Sequence, residues 1–121
     1  MKTAIIGGIA AGLSAASQIK RLAHDAVVVV LEKGGDVSYA ACGMPYNLFY
    51  RDTPVEELYA LSFDTIKSRG IDYRRHHEVV AIDPLRQEVS VLNHQAGREY
   101  REGGPKGRWD PRDPMGPKGR W

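Results

Sequence analysis

Two apolar runs without alternation open the chain. Residues 3 to 7, TAIIG, form a short hydrophobic run ended by glycine, and residues 26 to 32, AVVVVLE, form a second that is rich in β-branched side chains. Continuous runs of this kind read as strands buried on both faces, the pattern of a parallel sheet. Between them the period changes. Over residues 10 to 23, Gly12, Ala16, Ile19 and Ala23 fall on one side of a helix, and Ser14, Gln18 and Arg21 on the other. Strand, helix and strand within about 30 residues predict a βαβ unit.

Further along, a helix is expected to begin after Cys42, with Pro45 in its first turn. Another is expected over residues 63 to 69, with Gly70 as a left-handed cap just past its end. Residues 71 to 83, IDYRRHHEVVAID, and 87 to 93, QEVSVLN, alternate in places and are joined by PLR. They read as antiparallel strands, and REYRE at 98 to 102 as a third. The adjacent His76 and His77 on one strand would point to opposite faces, so no shared metal site is expected and a plain surface pair is. The fold class is α/β, with a βαβ start, further helices and an antiparallel β-meander.

Length and composition narrow this little. The 121 residues suffice for one small domain with one core, and 42% hydrophobic content suits a globular protein. No run of 18 apolar residues and no secretory signal pattern occurs, so neither a membrane span nor export is expected. One cysteine gives no disulfide framework, and a reducing cytoplasm is the default expectation. The net charge of +2 misleads about partners. Residues 1 to 102 carry 12 basic and 13 acidic groups, while residues 103 to 121 carry five and two. Without a basic stripe in the folded part, no nucleic-acid partner is expected.

Residues 103 to 121 differ in kind. Nine of these 19 residues are Gly or Pro, and GPKGRW occurs at both 104 to 109 and 116 to 121. Such a composition cannot bury enough apolar surface to offset its ordering entropy, so a disordered tail is expected. The two tryptophans it contains leave a binding segment open, but a frameshifted, truncated or otherwise non-native end is the favoured reading.

The chemistry concentrates in two places. IIGGIAAG lies where the first strand hands over to the helix, a position where backbone N–H groups and the helix dipole can face a pyrophosphate. Gly7 permits the tight turn, Gly12 lets the helix pack close, and Glu32, 20 residues after Gly12, can accept hydrogen bonds from a ribose. Ile9 stands where the G-x-G-x-x-G pattern has its middle glycine. A dinucleotide loop is expected rather than an ordinary βαβ turn without a ligand, with NAD and FAD both open. The second place is SYAACGMPYN, residues 38 to 47, around Cys42. A lone cysteine is either a small buried hydrophobe or a reactive thiol.

The ordered set IIGGIAAGLSAASQIKRL, VVVVLEKG, SYAACGMPYN and RGIDYRRHHEVVAID resembles the N-terminal FAD-binding part of the pyridine nucleotide–disulfide oxidoreductases. The likeness covers residues 1 to about 102 and leans towards the single-cysteine branch. That branch holds coenzyme A disulfide reductases, persulfide-reducing relatives, NADH peroxidases and NADH oxidases. The resemblance implies a partial Rossmann-like FAD-binding domain over residues 1 to 102, FAD as cofactor and NADH or NADPH as reductant. It implies Cys42 as the redox residue beside the flavin, with Asn47 where the dithiol branch has its second cysteine. A single thiolate would form a mixed disulfide with a small thiol, or a sulfenic acid with a peroxide. A helix N-terminus after Cys42 would favour the thiolate.

By the same resemblance Gly7, Gly8, Gly12, Glu32 and Lys33 would lie near the FAD pyrophosphate and adenosine ribose. Val79 would meet the adenine through its backbone, and Ser14, Gln18, Arg21 and Ser38 would bind coenzyme A. A solvated helix face is the other reading of Ser14, Gln18 and Arg21. Ala41 stands where some of these reductases carry a polar residue. Full-length relatives would carry a second FAD segment, a nicotinamide domain and a dimerisation domain, and would be homodimers. Two function classes follow: the N-terminal part of a flavin-dependent reductase of coenzyme A disulfide or a related disulfide or persulfide, or a non-catalytic truncated fragment. NADH peroxidase or oxidase chemistry is the alternative within the first class.

Overall fold

The computed structural model describes residues 2 to 50, 54, 58 and 60 to 103. β1 (Lys2–Ile6), α1 (Ala10–Leu22) and β2 (Val27–Glu32) form the expected βαβ unit. A 3-10 turn (Ala41–Gly43) runs directly into α2 (Met44–Phe49), which has Pro45 in its first turn. α3 (Phe63–Ser68) starts on Ser62, whose Oγ accepts from the Thr65 N–H at 3.2 Å. Gly70 follows it at φ +74, the left-handed cap that glycine adopts without a Cβ penalty. β3 (Ile71–Arg75), β4 (His77–Asp83), β5 (Glu88–Asn93) and β6 (Arg98–Gly103) complete the chain's described part.

Two three-stranded sheets result. β1, β2 and β3 run parallel in the order β1-β2-β3, with Ala4 opposite Val29 and Val29 opposite Asp72. β4, β5 and β6 form an antiparallel meander. The central strand β2 explains the layering. Val28 and Val30 face α1 and α3 with Leu13, Ala16, Ile66, Ile71 and Tyr73, while Val29 and Leu31 face the meander with Val91 and Tyr100. All four β2 valines and leucines from Val28 to Leu31 are buried, which is why the run shows no alternation.

Three sequence expectations need correction here. TAIIG is not a strand buried on both faces: β1 lies at the edge of its sheet, with Ala4 and Ile6 exposed and its other residues half-buried. IDYRRHHEVVAID is not one antiparallel strand. It breaks at His76, which has φ +59, into β3, parallel to β2, and β4, antiparallel to β5. The parallel sheet therefore has three strands. The histidines are not a plain surface pair either. His77 is buried with its Nδ1 2.6 Å from the Arg75 carbonyl oxygen, and His76 is half-buried at the break. The expected tail lies outside the described residues from 104 onward, and Gly103, its expected first residue, is the last residue of β6.

A buried ionic network fastens the meander to the parallel sheet. Arg74 on β3 donates to Glu102 Oε2 at 2.7 Å, to the Tyr100 hydroxyl at 3.0 Å, and to Asp72. Lys2 on β1 pairs with the other Glu102 oxygen. Burial alone would push the Glu102 carboxyl up, but the charges and hydrogen bonds of Arg74 and Lys2 outweigh it and hold the group below the usual carboxylate range.

Candidate functional site

The loop between β1 and α1 is built on backbone contacts that only small residues allow. Gly7 has φ +90, and its N–H donates to the Leu31 carbonyl at 2.9 Å. A Cβ on Gly12 would lie 1.8 Å from the Gly7 carbonyl oxygen, so glycine is what permits α1 to sit this close to β1. Glu32 at the end of β2 reaches across: its Oε2 accepts from the Gly8 N–H at 2.6 Å and its Oε1 from the Gly34 N–H at 2.9 Å. From the other side the Tyr73 hydroxyl donates to the Gly8 carbonyl at 2.9 Å. Burial first, and the nearby Glu32 second, push the Tyr73 phenol up, so it is a proton donor at neutral pH.

The arrangement fits a dinucleotide. Ile9 caps α1 without a side-chain hydrogen bond, and the first turn holds no acidic residue. The N–H groups there are thus offered to an external anion. Above Gly7 a Cβ would meet nothing within 4 Å, so the turn is open on that side.

Beyond Glu32 the end of β2 meets β4. Lys33 Nζ lies 3.4 Å from Glu78 Oε1, and His94 Nε2 lies 2.7 Å from Glu78 Oε2. These hydrogen bonds, His94 first and Lys33 next, hold the Glu78 carboxyl below its usual range. The pair joins the residue after Glu32 to the residue before Val79. Val79 pairs with Val91, and the ladder slips by one residue between Val79 and Ala81, a β-bulge.

Cys42 is exposed in the 3-10 turn ahead of α2. Its loop is held by the Ala40 N–H on the Leu58 carbonyl at 2.6 Å and the Ala60 N–H on the Ser38 carbonyl at 2.9 Å. Ser38 is buried at φ +49, a conformation that a non-glycine residue adopts at a cost of about 1 kcal/mol or more and that recurs at functional sites. Cys42, Ser38, Ser14, Ser17, Ile9 and Arg69 line one cavity of about 620 Å³. A second, of about 700 Å³, continues along α1 and is lined by Ser14, Ser17, Gln18, Arg21, His24 and Arg69. Ser14, Ser17 and Arg69 line both, so the two cavities adjoin along one stretch of surface. Within it Arg21 donates to Gln18 Oε1 at 2.5 Å and Arg69 to Ser17 Oγ at 3.4 Å.

The structure thus gathers the predicted residues into two groups. Gly7, Gly8, Gly12 and Glu32 surround the loop, with Lys33 and Val79 beyond them. Cys42, Ser38 and Ser14 line the first cavity, and Ser14, Gln18 and Arg21 the second. Sequence reasoning missed Arg69, Ser17 and Tyr73. Ser17 carries a helical signal, three residues after Ser14. Arg69 carries none, because only the packing of α3 beside α1 brings it to these cavities. Among the described residues no three His, Cys, Asp or Glu side chains gather to hold a metal, and no helix is long and apolar enough to cross a membrane.

The chain is similar to known proteins in sequence and in fold. The sequence pattern of the family described as pyridine nucleotide-disulphide oxidoreductase matches residues 1–103. A coenzyme A disulfide reductase of Staphylococcus aureus (strain Newman) is 35% identical over 104 residues, covering 84% of this chain and 23% of that protein. The solved structure of a NAD-dependent persulfide reductase from A. fulgidus superimposes with a TM-score of 0.77 at 34% identity, over 84% of this chain and 19% of that one. A water-forming NADH oxidase from Lactobacillus brevis gives 0.81 at 28% identity, over 86% and 23%. The chain spans about a quarter of the length of the curated relatives it matches.

Proposed function

Because this chain belongs to the pyridine nucleotide-disulphide oxidoreductases, an enzyme family that is FAD-dependent with NAD(P)H as reductant, we propose that it is the N-terminal part of a reductase of coenzyme A disulfide or a related disulfide or persulfide. The observation that carries this reading is a pair of adjoining cavities, one lined by Cys42 and Arg69 and the other by Arg69 and Arg21. A thiol in the first cavity, a guanidinium lining both and a second guanidinium in the other suit a substrate with a sulfur at one end and phosphates at the other. Ser14, Ser17, Ser38 and Gln18 supply the neutral hydrogen-bonding groups between them.

In this reading the Cys42 thiolate attacks one sulfur of the substrate disulfide. A Cys42–substrate disulfide forms and the other half leaves as thiolate. FAD supplies the two electrons, drawn from NAD(P)H, that with protons return Cys42 and release the second thiol. Gly7, Gly8 and Gly12 would seat its pyrophosphate, Glu32 and Lys33 its adenosine ribose, and the Val79 backbone its adenine. Residues 1 to 102 are then the opening portion of the FAD domain. The small thiol or disulfide substrate, a homodimer and a cytoplasmic setting are proposed with it.

A second reading, peroxidase or oxidase chemistry, is favoured by the exposure of Cys42 and the likeness to the NADH oxidase. It leaves Arg21 and Arg69 without a role.

Replacing Cys42 by Ser in the enzyme that carries this segment tests the redox role. Flavin content should stay, because the loop at Gly7 to Gly12 is untouched. Disulfide reduction should fall to background, because a hydroxyl forms no mixed disulfide. Retained reduction would contradict the proposal.

A further inference from the structure

We propose that Gly8 and Tyr73 are a matched pair, in which the Tyr73 hydroxyl is a positioning group for the loop that receives the cofactor pyrophosphate. The proposal rests on the flavin reading above and extends it to a residue that no comparison assigns.

Gly8 is glycine for an unusual reason. Gly7 needs glycine for its φ of +90, but Gly8 is outside the left-handed region. What excludes a side chain at Gly8 is Tyr73: a Cβ there would lie 2.0 Å from the phenolic oxygen and 2.4 and 2.6 Å from two ring carbons. The ring itself is fixed. Tyr73 is 5% exposed on the central parallel sheet, edge-on to Phe63 with ring centroids 6.2 Å apart.

The contact places two bonds on successive peptide groups. Glu32 Oε2 takes the Gly8 N–H at 2.6 Å, and the Tyr73 hydroxyl holds the Gly8 carbonyl at 2.9 Å. That carbonyl shares a planar trans peptide with the Ile9 N–H, so the two point in opposite directions. Fixing the carbonyl on Tyr73 therefore aims the N–H of Ile9, the N-cap of α1, away from the hydroxyl. It becomes a donor held in place before any anion arrives, and its orientation costs nothing at binding.

The test uses the full chain and four variants: Tyr73→Phe, Tyr73→Val, Gly8→Ala and Gly8→Ala with Tyr73→Val. FAD affinity is read by flavin fluorescence, ADP and adenosine affinity by calorimetry, and folding by thermal melting. Tyr73→Phe keeps the ring and should weaken FAD and ADP about fivefold, the scale of one hydrogen bond. Adenosine, which lacks the pyrophosphate, should bind unchanged. A packing role alone would lower all three ligands together or none. Gly8→Ala should lose FAD binding, and adding Tyr73→Val should restore it to the level of Tyr73→Val alone. Wild-type affinity for FAD in Tyr73→Phe, equal loss of adenosine, or no rescue by the double variant would overturn the matched pair. A wild-type chain that fails to bind FAD would overturn the flavin reading itself, and this proposal with it.

Discussion

Glu32 carries two duties that its position forces together. Its carboxylate accepts from the Gly8 and Gly34 N–H groups, and the same group is the one proposed to receive a ribose. Glu32→Gln would keep one acceptor but turn an amide NH₂ towards a backbone N–H. Charge-assisted hydrogen bonds of this kind contribute about 1.5–3 kcal/mol, so the variant should lose about 2 kcal/mol of stability in urea and bind FAD at least about tenfold more weakly. Unchanged stability would mean that the two backbone bonds contribute nothing to the fold. At this scale the tight turn at Gly7 and the close packing at Gly12 were legible in the sequence, because they follow from spacing along one βαβ unit. Tyr73 and Arg69 were not. Their partners, Gly8 and Ser17, lie 65 and 52 residues away, and nothing local announces them.

Among the elements, β3 was the one misread, and the cause is physical. Its residues alternate much as those of β4 do, so a single period runs through both. The turn between them is made by His76 at φ +59, where sequence reasoning would look for Gly, Asn or Asp. The charges of β3 also mislead. Arg74 reads as solvent-facing but is 4% exposed, because Glu102, Asp72 and Tyr100 surround its guanidinium. By contrast the bounds of α1, β1 and β2 matched expectation to within a residue or so; β2 is buried on both faces, whereas β1, expected to be buried, is an edge strand with Ala4 and Ile6 exposed.

Two predictions belong to this scale. Gly12→Ala would place a methyl 1.8 Å from the Gly7 carbonyl oxygen, and α1 must move off β1. Overpacking of this sort costs about 1–3 kcal/mol, so a lower melting temperature and loss of FAD binding are expected together. A variant that melts and binds like the parent would refute the close packing. The second concerns acid. Glu102 is held ionised below the usual carboxylate range, so its contribution is complete above the unfolded value near pH 4.3 and is lost as pH falls below it. Between pH 7 and pH 3 the wild type should therefore lose more stability than Glu102→Gln, which is already weaker at pH 7. Parallel denaturation curves across that range would remove the network from the account.

As a whole the described chain is three layers: helices, a parallel sheet and a meander. The layering sets the two candidate sites on the helix side, at the head of α1 and along its polar face. The α/β class and the meander were legible from periodicity, and the family from four ordered motifs. The cavities were not, because they exist only where α1, the Cys42 loop and the end of α3 converge. We propose that these adjoining cavities bring a disulfide to Cys42 by recognising the substrate's phosphates. The most direct measurement needs no flavin. The chain is incubated with coenzyme A disulfide and, separately, with a small disulfide lacking phosphates, and the rate of Cys42 modification is followed by intact mass. Coenzyme A disulfide should react at least about tenfold faster, a preference worth about 1.4 kcal/mol, and Arg69→Ala and Arg21→Ala should each reduce it. Equal rates for the two disulfides, or a preference that survives both substitutions, would contradict the account.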